Sequence, residues 1–368
     1  MEHVRRGERA EQYDLLEEVL TRHQAGLLSV IALATPCLAL LNLPRYAVAV
    51  YGLPGSGKSK ACEIAISIYG DPEQLLFTMD TTKVGKEITF ALYRDLPIVL
   101  DEFNTASPDG KKIAQSVIET IYGFAQGKGR TRGNVNIKHR DVAEFRGLVL
   151  MTSERSLESI FSVAQNIRVG GAYRRTLEIP VIDEKELWKI DPQRDPSDVQ
   201  FFARIHNAIR THHSHVGIDW LLHLSDSDVQ DRLLFAYDTA LKTMVEAGHG
   251  DLKGTEKLIA LLWATMKELE LFLDLPGTPI LNNLRRYLTA ITERQQRQID
   301  EQITDEAERF KEGLETFIAM HVTSFDGICP EKAVMSQVFG RVQYTDSLTH
   351  IWLMAGIFKR FCNEYGYE

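Results

Sequence analysis

Cysteine is scarce in this 368-residue chain and is never paired. The four cysteines are scattered along the sequence: Cys37, Cys62, Cys329 and Cys362. Because no CxxC pair occurs, their spacing fits neither a zinc site nor a disulfide framework. The N-terminal stretch "MEHVRRGERAEQYD" also lacks the apolar segment of a signal peptide. We therefore expect reduced thiols in a cytoplasmic protein.

Positive charge is in short supply over the chain as a whole. Lysine and arginine number 42 against 51 aspartates and glutamates, which gives a formal net charge of -9. This balance argues against a histone-like blanket of positive charge, although a local basic stripe would be enough to bind nucleic acid. The apolar content of 44% and the charged content of 25% are globular values.

One uncharged run, "AGLLSVIALATPCLALLNL" at residues 25–43, is long enough to span a membrane. Against that interpretation, Pro36 interrupts the run, and Ser29, Thr35 and Asn42 dilute it. A predicted buried strand also follows directly. We therefore predict a buried core helix and no membrane partner.

Strand and helix patterns alternate along the first half of the chain. Short apolar runs predict strands at 47–51, 75–79, 96–103, 146–153 and 175–183. Helical spacing of apolar residues predicts helices between them, the second with Thr81 or Thr82 as its N-cap. This alternation predicts an α/β fold with a mainly parallel sheet. After the polar stretch at 191–198 we expect helices and no strand.

The first strand runs into "GLPGSGKS", residues 52–59, which matches G-x-x-x-x-G-K-[ST] at every position. In such a loop glycines let backbone N–H groups turn toward phosphates. Lys58 would reach the β- and γ-phosphates, and the Ser59 hydroxyl would ligate Mg²⁺. A chance glycine-rich turn is the alternative, but the strand–loop–helix context favours the phosphate loop. The predicted nucleotide-binding residues are Gly52, Pro54, Gly55, Ser56, Gly57, Lys58, Ser59 and Lys60.

The third predicted strand ends in two acids, in the segment "IVLDEF". Asp101 would hold Mg²⁺, directly or through water, and Glu102 would polarise the attacking water as general base. Two acids that merely cap a strand are the alternative. An adjacent Asp-Glu pair favours hydrolysis over small-molecule kinase chemistry, in which water must be excluded.

The fourth predicted strand ends in Thr152 and Ser153. In P-loop ATPases with an inserted strand, a polar side chain at this place contacts the γ-phosphate or the attacking water. Both residues are therefore candidate catalytic residues, with an ordinary strand-end turn as the alternative.

A basic segment at residues 127–147 stands out in this acidic chain. Its cations are Lys128, Arg130, Arg132, Lys138, Arg140 and Arg146, against only Asp141 and Glu144. Glycine and asparagine in the middle suit the turn of a β-hairpin. We predict that Lys128, Arg130, Arg132 and Lys138 contact a nucleic-acid backbone without reading its sequence. A solvated loop is the alternative.

The segment "NIRVGGAYRRTLEIP" holds Arg168, Arg174 and Arg175. Hydrolysis at a subunit interface is often completed by an arginine of the neighbouring subunit. Arg168 is our first candidate for this role and Arg174 the second, although each could equally make an ordinary salt bridge.

With these motifs in view, the chain resembles the domain-of-unknown-function 927 family, the helicase-like P-loop ATPases of phages, plasmids and mobile elements. The motifs that carry the resemblance are "GLPGSGKS", "DLPIVLDEF", "GFAQGKGRTR", "LVLMTSERSL" and the arginine-rich loop that leads into "LEIP". Two later stretches, "FFARIHNAIRTHHSHVGIDWLLHL" and "RFKEGLETFIAMHVTSF", are also similar. Ser153 stands where the family usually has glycine.

The resemblance implies an AAA+-like ATPase core similar to that of minichromosome-maintenance-type helicases, with ATP and Mg²⁺ as cofactors. Relatives of this kind act as hexameric rings on DNA, so DNA and further copies of the chain are the expected partners, together with a primase or initiator. We expect an N-terminal helical segment at 1–45, the P-loop ATPase core at 46–190 and a helical domain at 191–368. A nucleotide-gated switch or scaffold that acts on partner proteins is the alternative function.

Overall fold

The computed structural model divides the chain into two compact units, residues 1–296 and residues 297–368. The residues that it describes are 5–79, 82–102, 110–128, 144–162, 170–181, 187–191, 193, 196–250, 252, 254–275, 281–321, 324–327, 338–345 and 349–365. The boundaries that we predict at residues 45 and 190 fall inside the first unit, and the three-part division stays a prediction.

A five-stranded sheet forms the centre of the first unit. Its strands are β1 (Tyr46–Gly52), β2 (Leu76–Thr78), β3 (Ile98–Asp101), β4 (Leu148–Ser153) and β5 (Thr176–Val181). The order across the sheet is β2-β3-β4-β1-β5, and every neighbouring pair is parallel. The predicted α/β fold with a parallel sheet is therefore confirmed. Because β4 lies between β1 and β3, the carboxyl ends of these three strands lie side by side.

Helices connect the strands and cover the sheet. They are α1 (Arg9–Arg22), α2 (Gly26–Leu40), α3 (Lys58–Ser67), α4 (Pro72–Leu75), α5 (Lys83–Leu92), α6 (Gly110–Gln126), α7 (Leu157–Phe161) and α8 (Gly170–Tyr173). Thr82 is the N-cap of α5, and its hydroxyl accepts a hydrogen bond of 3.1 Å from the Gly85 amide. Capping by a hydroxyl satisfies one of the amides that the first turn leaves unpaired.

Helix α2 occupies most of the uncharged run and is buried along nearly its whole length. The predicted buried core helix is therefore confirmed, and Pro36 lies inside it. Tertiary burial on all sides outweighs the hydrogen bond that a proline removes. Among the described residues no single helix is long and apolar enough to cross a membrane. Helices α1 and α2 reach the required length and hydropathy only when taken together, and the chain bends by 116° between them.

The rest of the first unit is helical. It comprises a 3₁₀ turn (Pro196–Gln200), α9 (Phe201–Thr211), α10 (His215–His223), α11 (Ser227–Glu246), α12 (Glu256–Phe272) and the start of α13 (Asn282–Met320). These helices pack against the N-terminal ones: α12 lies on α2, and α9 and α10 lie on α1. The buried Trp220 indole donates a 2.8 Å hydrogen bond to the Leu33 carbonyl, which ties α10 to α2.

The second unit contains strands where we expected none. After α13 come β6 (Phe325–Asp326), β7 (Gly340–Tyr344), β8 (Thr349–Leu353) and α14 (Ala355–Tyr365), and the three strands form one sheet in the order β6-β7-β8. A small aromatic core of Phe317, Phe325, Phe339 and Phe361 supports this sheet. Its strands are at most five residues long and carry polar side chains on one face, so they lack the apolar run that marks a buried strand.

Candidate functional site

The glycine-rich loop lies between the end of β1 and the start of α3, as predicted. Gly57 is the N-cap of α3 with φ +78°, a left-handed conformation that favours glycine. A Cβ at Gly57 would lie 2.2 Å from the indole nitrogen of Trp188, so no larger residue fits there. Gly55 has the same φ of +78°, but a Cβ there would meet nothing within 4 Å. Gly57 is thus constrained by both conformation and space, and Gly55 by conformation alone.

The Lys58 ammonium group lies inside the loop. It donates hydrogen bonds to the Gly52 carbonyl at 2.9 Å, the Leu53 carbonyl at 2.7 Å and the Ser56 hydroxyl at 3.2 Å. The residue is only 8% exposed. Burial lowers the pKa of Lys58, and the nearby carboxylates of Glu154 and Asp101 oppose that shift. The loop therefore encloses the Lys58 ammonium group, and the negative charges of Glu154 and Asp101 stabilise it there.

Ser59, Asp101 and Thr152 bring three oxygen groups together at the carboxyl ends of the strands. The Ser59 hydroxyl donates a 3.1 Å hydrogen bond to Oδ1 of Asp101, and the Thr152 hydroxyl donates to the same oxygen. Among the described residues no group of three or more His, Cys, Asp or Glu could hold a metal ion. Magnesium bound with a nucleotide needs only one or two protein oxygens besides phosphates and water, so this set fits it.

Thr152 also holds the second acid. Its hydroxyl oxygen accepts a 3.0 Å hydrogen bond from the backbone N–H of Glu102. Glu102 has φ +56°, a left-handed conformation that costs a non-glycine residue about 1–3 kcal/mol. A single hydroxyl thus bridges the Asp101 carboxylate and the turn that carries Glu102. Sequence reasoning selected Thr152 for contact with phosphate or water, and this bridging contact was not foreseen.

Ser153 has a different role from Thr152. Its side chain is buried, and its hydroxyl oxygen accepts a 3.0 Å hydrogen bond from the Arg155 amide. This is the strand-end turn that stood as the alternative for the pair. Tyr51 and Ser153 face each other across β1 and β4, so the turn still begins beside the phosphate loop.

The other predicted nucleotide-binding residues lie within the loop or in the first turn of α3. Pro54 is exposed, whereas Ser56 is buried beneath Lys58. The Lys60 ammonium contacts the Glu63 carboxylate on its own helix and lies 3.1 Å from Nδ1 of His206 on α9. Lys60 therefore links α3 to α9, and this contact distinguishes it from Lys58.

The basic segment is described only at its two ends. Lys128 and Glu144 form an antiparallel bridge, and their charged groups lie 3.8 Å apart with both side chains exposed. An antiparallel bridge at this point fits the base of the predicted hairpin. Arg146 instead forms an ion pair with Asp95, with 2.7 Å between Nε and Oδ1, so it is engaged within its own chain. The predicted contacts Arg130, Arg132 and Lys138, together with Arg140, lie outside the described residues.

The candidate interface arginines separate into three cases. Arg168 lies outside the described residues. Arg175 donates a 2.7 Å hydrogen bond to the Gly171 carbonyl, and its guanidinium lies 5.4 Å from the centre of the Tyr122 ring, so it is engaged within its own chain. Arg174 is exposed. Of the two described candidates, Arg174 is thus the one available to a neighbouring subunit.

Trp188 was not foreseen as part of the site. It is 2% exposed and packs against Gly57, with its ring 5.4 to 5.5 Å from those of His23, Phe201 and Phe202. This aromatic cluster packs against the phosphate loop at Gly57. A single tryptophan that follows a strand gives no periodic signal, so no pattern could have assigned this contact.

Glu178 is a second unforeseen residue, and it lies in the middle of β5. Its carboxylate accepts a 2.8 Å hydrogen bond from the Leu157 amide at the start of α7, which directly follows the turn after β4. Burial raises the pKa of Glu178 to about 7, and the bond from Leu157 and the charge of Arg294 oppose this shift. This buried carboxyl group therefore ties β5 to the segment that follows Thr152 and Ser153.

The sheet order, the loop between β1 and α3 and the acids at the end of β3 define a P-loop-like α/β fold. The family model for "Domain of unknown function (DUF927)" matches residues 1–144, and the predicted resemblance to that family is confirmed over this stretch. The chain is also similar in structure to a solved protein described as "SCCmec type IV Cch - active helicase". The TM-score is 0.61 at 18% sequence identity, over 100% of this chain and 65% of that one. A search of curated protein sequences gives no match.

Proposed function

We propose that this chain is a Mg²⁺-dependent ATPase whose hydrolysis of ATP drives movement along DNA or its unwinding. The observation that carries the proposal is the Thr152 hydroxyl, which joins the Asp101 carboxylate to the backbone of Glu102. The Ser59 hydroxyl and the buried Lys58 ammonium lie in the same site. A phosphate loop, a metal-binding acid and a water-activating acid are the parts that NTP hydrolysis requires.

Each residue has a stated task in this proposal. ATP with Mg²⁺ would supply the bond to be broken and a cation that neutralises charge on the phosphates. Ser59 and Asp101 would hold the metal, and Lys58 would exchange its bonds to loop carbonyls for bonds to phosphate oxygens. Glu102 would polarise the attacking water, while Thr152 keeps both acids at a fixed spacing.

The proposal that the protein moves along DNA rests on two observations. The exposed Lys128 stands at the base of a basic segment in an otherwise acidic chain. The structural neighbour is described as an active helicase, although this chain spans only 65% of its length. Together they support a replicative-type helicase of a mobile element or phage, which would act in the cytoplasm as a hexameric ring with a primase or initiator as partner.

The comparison of ATP turnover with and without single-stranded DNA tests the motor proposal. A motor predicts faster turnover with DNA, and Lys128→Ala should reduce that stimulation while it spares basal turnover. Turnover that is indifferent to DNA would contradict the motor and favour a nucleotide-gated switch that acts on partner proteins.

Mixed subunits test whether Arg174 acts in a neighbouring active site. A Lys58→Ala subunit keeps its Arg174 but cannot bind ATP, and an Arg174→Ala subunit has the opposite defect. If the arginine acts in trans, each variant alone is inactive and a mixture of the two regains turnover. Arg175→Ala is the matched control, because Arg175 is engaged within its own chain. No recovery in the mixture would contradict a role of Arg174 in trans.

A further inference from the structure

A two-stranded antiparallel ribbon, β7 with β8, presents a polar and aromatic face in the second unit. Arg341 pairs with Trp352 and Gln343 pairs with His350 across the two strands. Side chains two residues apart lie on the same side of a strand, so these four share one face, which we call the ribbon face. All four are exposed, whereas Val342 between them is buried in the aromatic core.

Aromatic surface is concentrated on this face. Trp352 is 50% exposed, and it is the one exposed tryptophan of the four in the chain. The His350 and Trp352 rings stack, with centroids 5.7 Å apart and an angle of 22° between their planes. The stacked pair is exposed to solvent and offers an aromatic surface on which an unpaired base could stack.

Hydrogen-bond donors flank the stacked rings. The guanidinium of Arg341 and the amide of Gln343 lie opposite them on β7. Arg341 lies 3.8 Å from the Asp326 carboxylate, but both side chains are more than half exposed, so the cation stays accessible. Lys359 and Arg360 on α14 add positive charge.

We propose that the ribbon face binds single-stranded nucleic acid, with a base stacked on Trp352 and a phosphate held by Arg341. Proteins that bind single strands without sequence preference combine aromatic stacking platforms with cations that follow the backbone. Tryptophan and arginine are also enriched at protein interfaces, but the nearby cations Lys359 and Arg360 on α14 favour the phosphate backbone of a nucleic acid. This contact goes beyond the proposed ATPase, since it lies outside the phosphate loop and the basic segment.

Binding of a fluorescein-labelled oligothymidylate to the full chain, followed by anisotropy, tests the proposal. Trp352→Ala should weaken binding about 5- to 150-fold, because one base–aromatic stack contributes about 1–3 kcal/mol. Trp352→Phe keeps an aromatic ring and should bind within about twofold of wild type. Met354→Ala is the matched control, since Met354 is 58% exposed next to the ribbon but outside its paired residues.

Two further measurements do not depend on the fold of a single variant. Arg341→Ala should lower the slope of log affinity against log salt by about 0.7, the value for one phosphate contact of a single strand. Oligothymidylate should quench the tryptophan fluorescence of the wild type, and Trp352→Phe should remove most of that quenching while binding persists.

Wild-type affinity and salt slope in both Trp352→Ala and Arg341→Ala would overturn the proposal. Competition by duplex DNA as strong as that by the single strand would overturn it too. Neither result affects the ATPase proposal, which is tested by turnover and by Lys58→Ala. Conversely, the binding result stands if the chain hydrolyses no ATP.

Discussion

Replacement of Thr152 by valine tests the bridge between the two acids. Valine has nearly the same shape as threonine and differs chiefly in the hydroxyl group. In the wild type this hydroxyl donates to Asp101 and accepts from the Glu102 amide at 3.0 Å. Thr152→Val therefore removes both bonds and leaves the buried volume almost unchanged.

The size of the effect follows from the two bonds. A hydrogen bond to a charged group contributes about 1.5–3 kcal/mol, and a buried donor without a partner costs about 1–3 kcal/mol. Because the two bonds share one hydroxyl, their effects overlap, and we expect the free energy of unfolding to fall by about 2–3 kcal/mol. Loss of the fixed spacing between Asp101 and Glu102 should lower kcat at least tenfold, which corresponds to about 1.4 kcal/mol in the barrier.

Urea unfolding and steady-state ATP turnover measure the two effects. Thr152→Ser keeps the hydroxyl and should retain most of the turnover. Thr292→Val is the matched control, because the buried Thr292 hydroxyl donates only to the Leu288 carbonyl in its own helix, at 2.8 Å. It should lose some stability and keep wild-type kcat. Wild-type kcat in Thr152→Val, or an equal loss in Thr152→Ser, would refute the bridging role.

Three further predictions concern the loop and the core. Lys58→Ala should abolish ATP binding in calorimetry, while Lys60→Ala should weaken it only slightly; equal losses would contradict the placement of Lys58 inside the loop. Gly55→Ala should cost about 1–2 kcal/mol of stability for its left-handed backbone conformation alone, and Gly57→Ala should cost more and impair ATP binding, because its Cβ would also meet the indole of Trp188. Burial raises the pKa of Glu178 from 4.5 to about 7, so the native state binds the proton more tightly and its stability should fall as the pH rises through this window. Glu178→Gln should flatten the pH dependence of urea unfolding there, and an unchanged profile would contradict the burial of an ionisable group.

The sheet and the phosphate loop could be predicted from the sequence because both leave local signals. A parallel strand buried on both faces has an almost continuous apolar run, and its carboxyl end carries the chemistry. The runs before Gly52, Asp101 and Thr152 thus predicted both the strands and the polar groups that follow them. The fold confirms that the three strands are neighbours.

Contacts between distant parts of the chain gave no such signal. Trp188 supports Gly57, and Glu178 holds the start of α7, because the folded chain brings these residues together. The pairing of Arg146 with Asp95 could not be predicted for the same reason. The sequence shows the positive charge of the basic segment, but the partner of each cation depends on which loops the fold brings together. The strands of the ribbon were missed because half of their side chains face solvent and carry polar groups.

The exchange of Glu102 for glutamine tests the central claim most directly. Glutamine keeps the shape of the side chain but cannot act as a base. ATP binding and turnover should be measured in both proteins, with single-stranded DNA present and absent. The account predicts that Glu102→Gln binds ATP as the wild type does and yet fails to hydrolyse it under either condition. Hydrolysis at the wild-type rate in Glu102→Gln, or a wild-type protein that neither binds nor cleaves ATP, would contradict it.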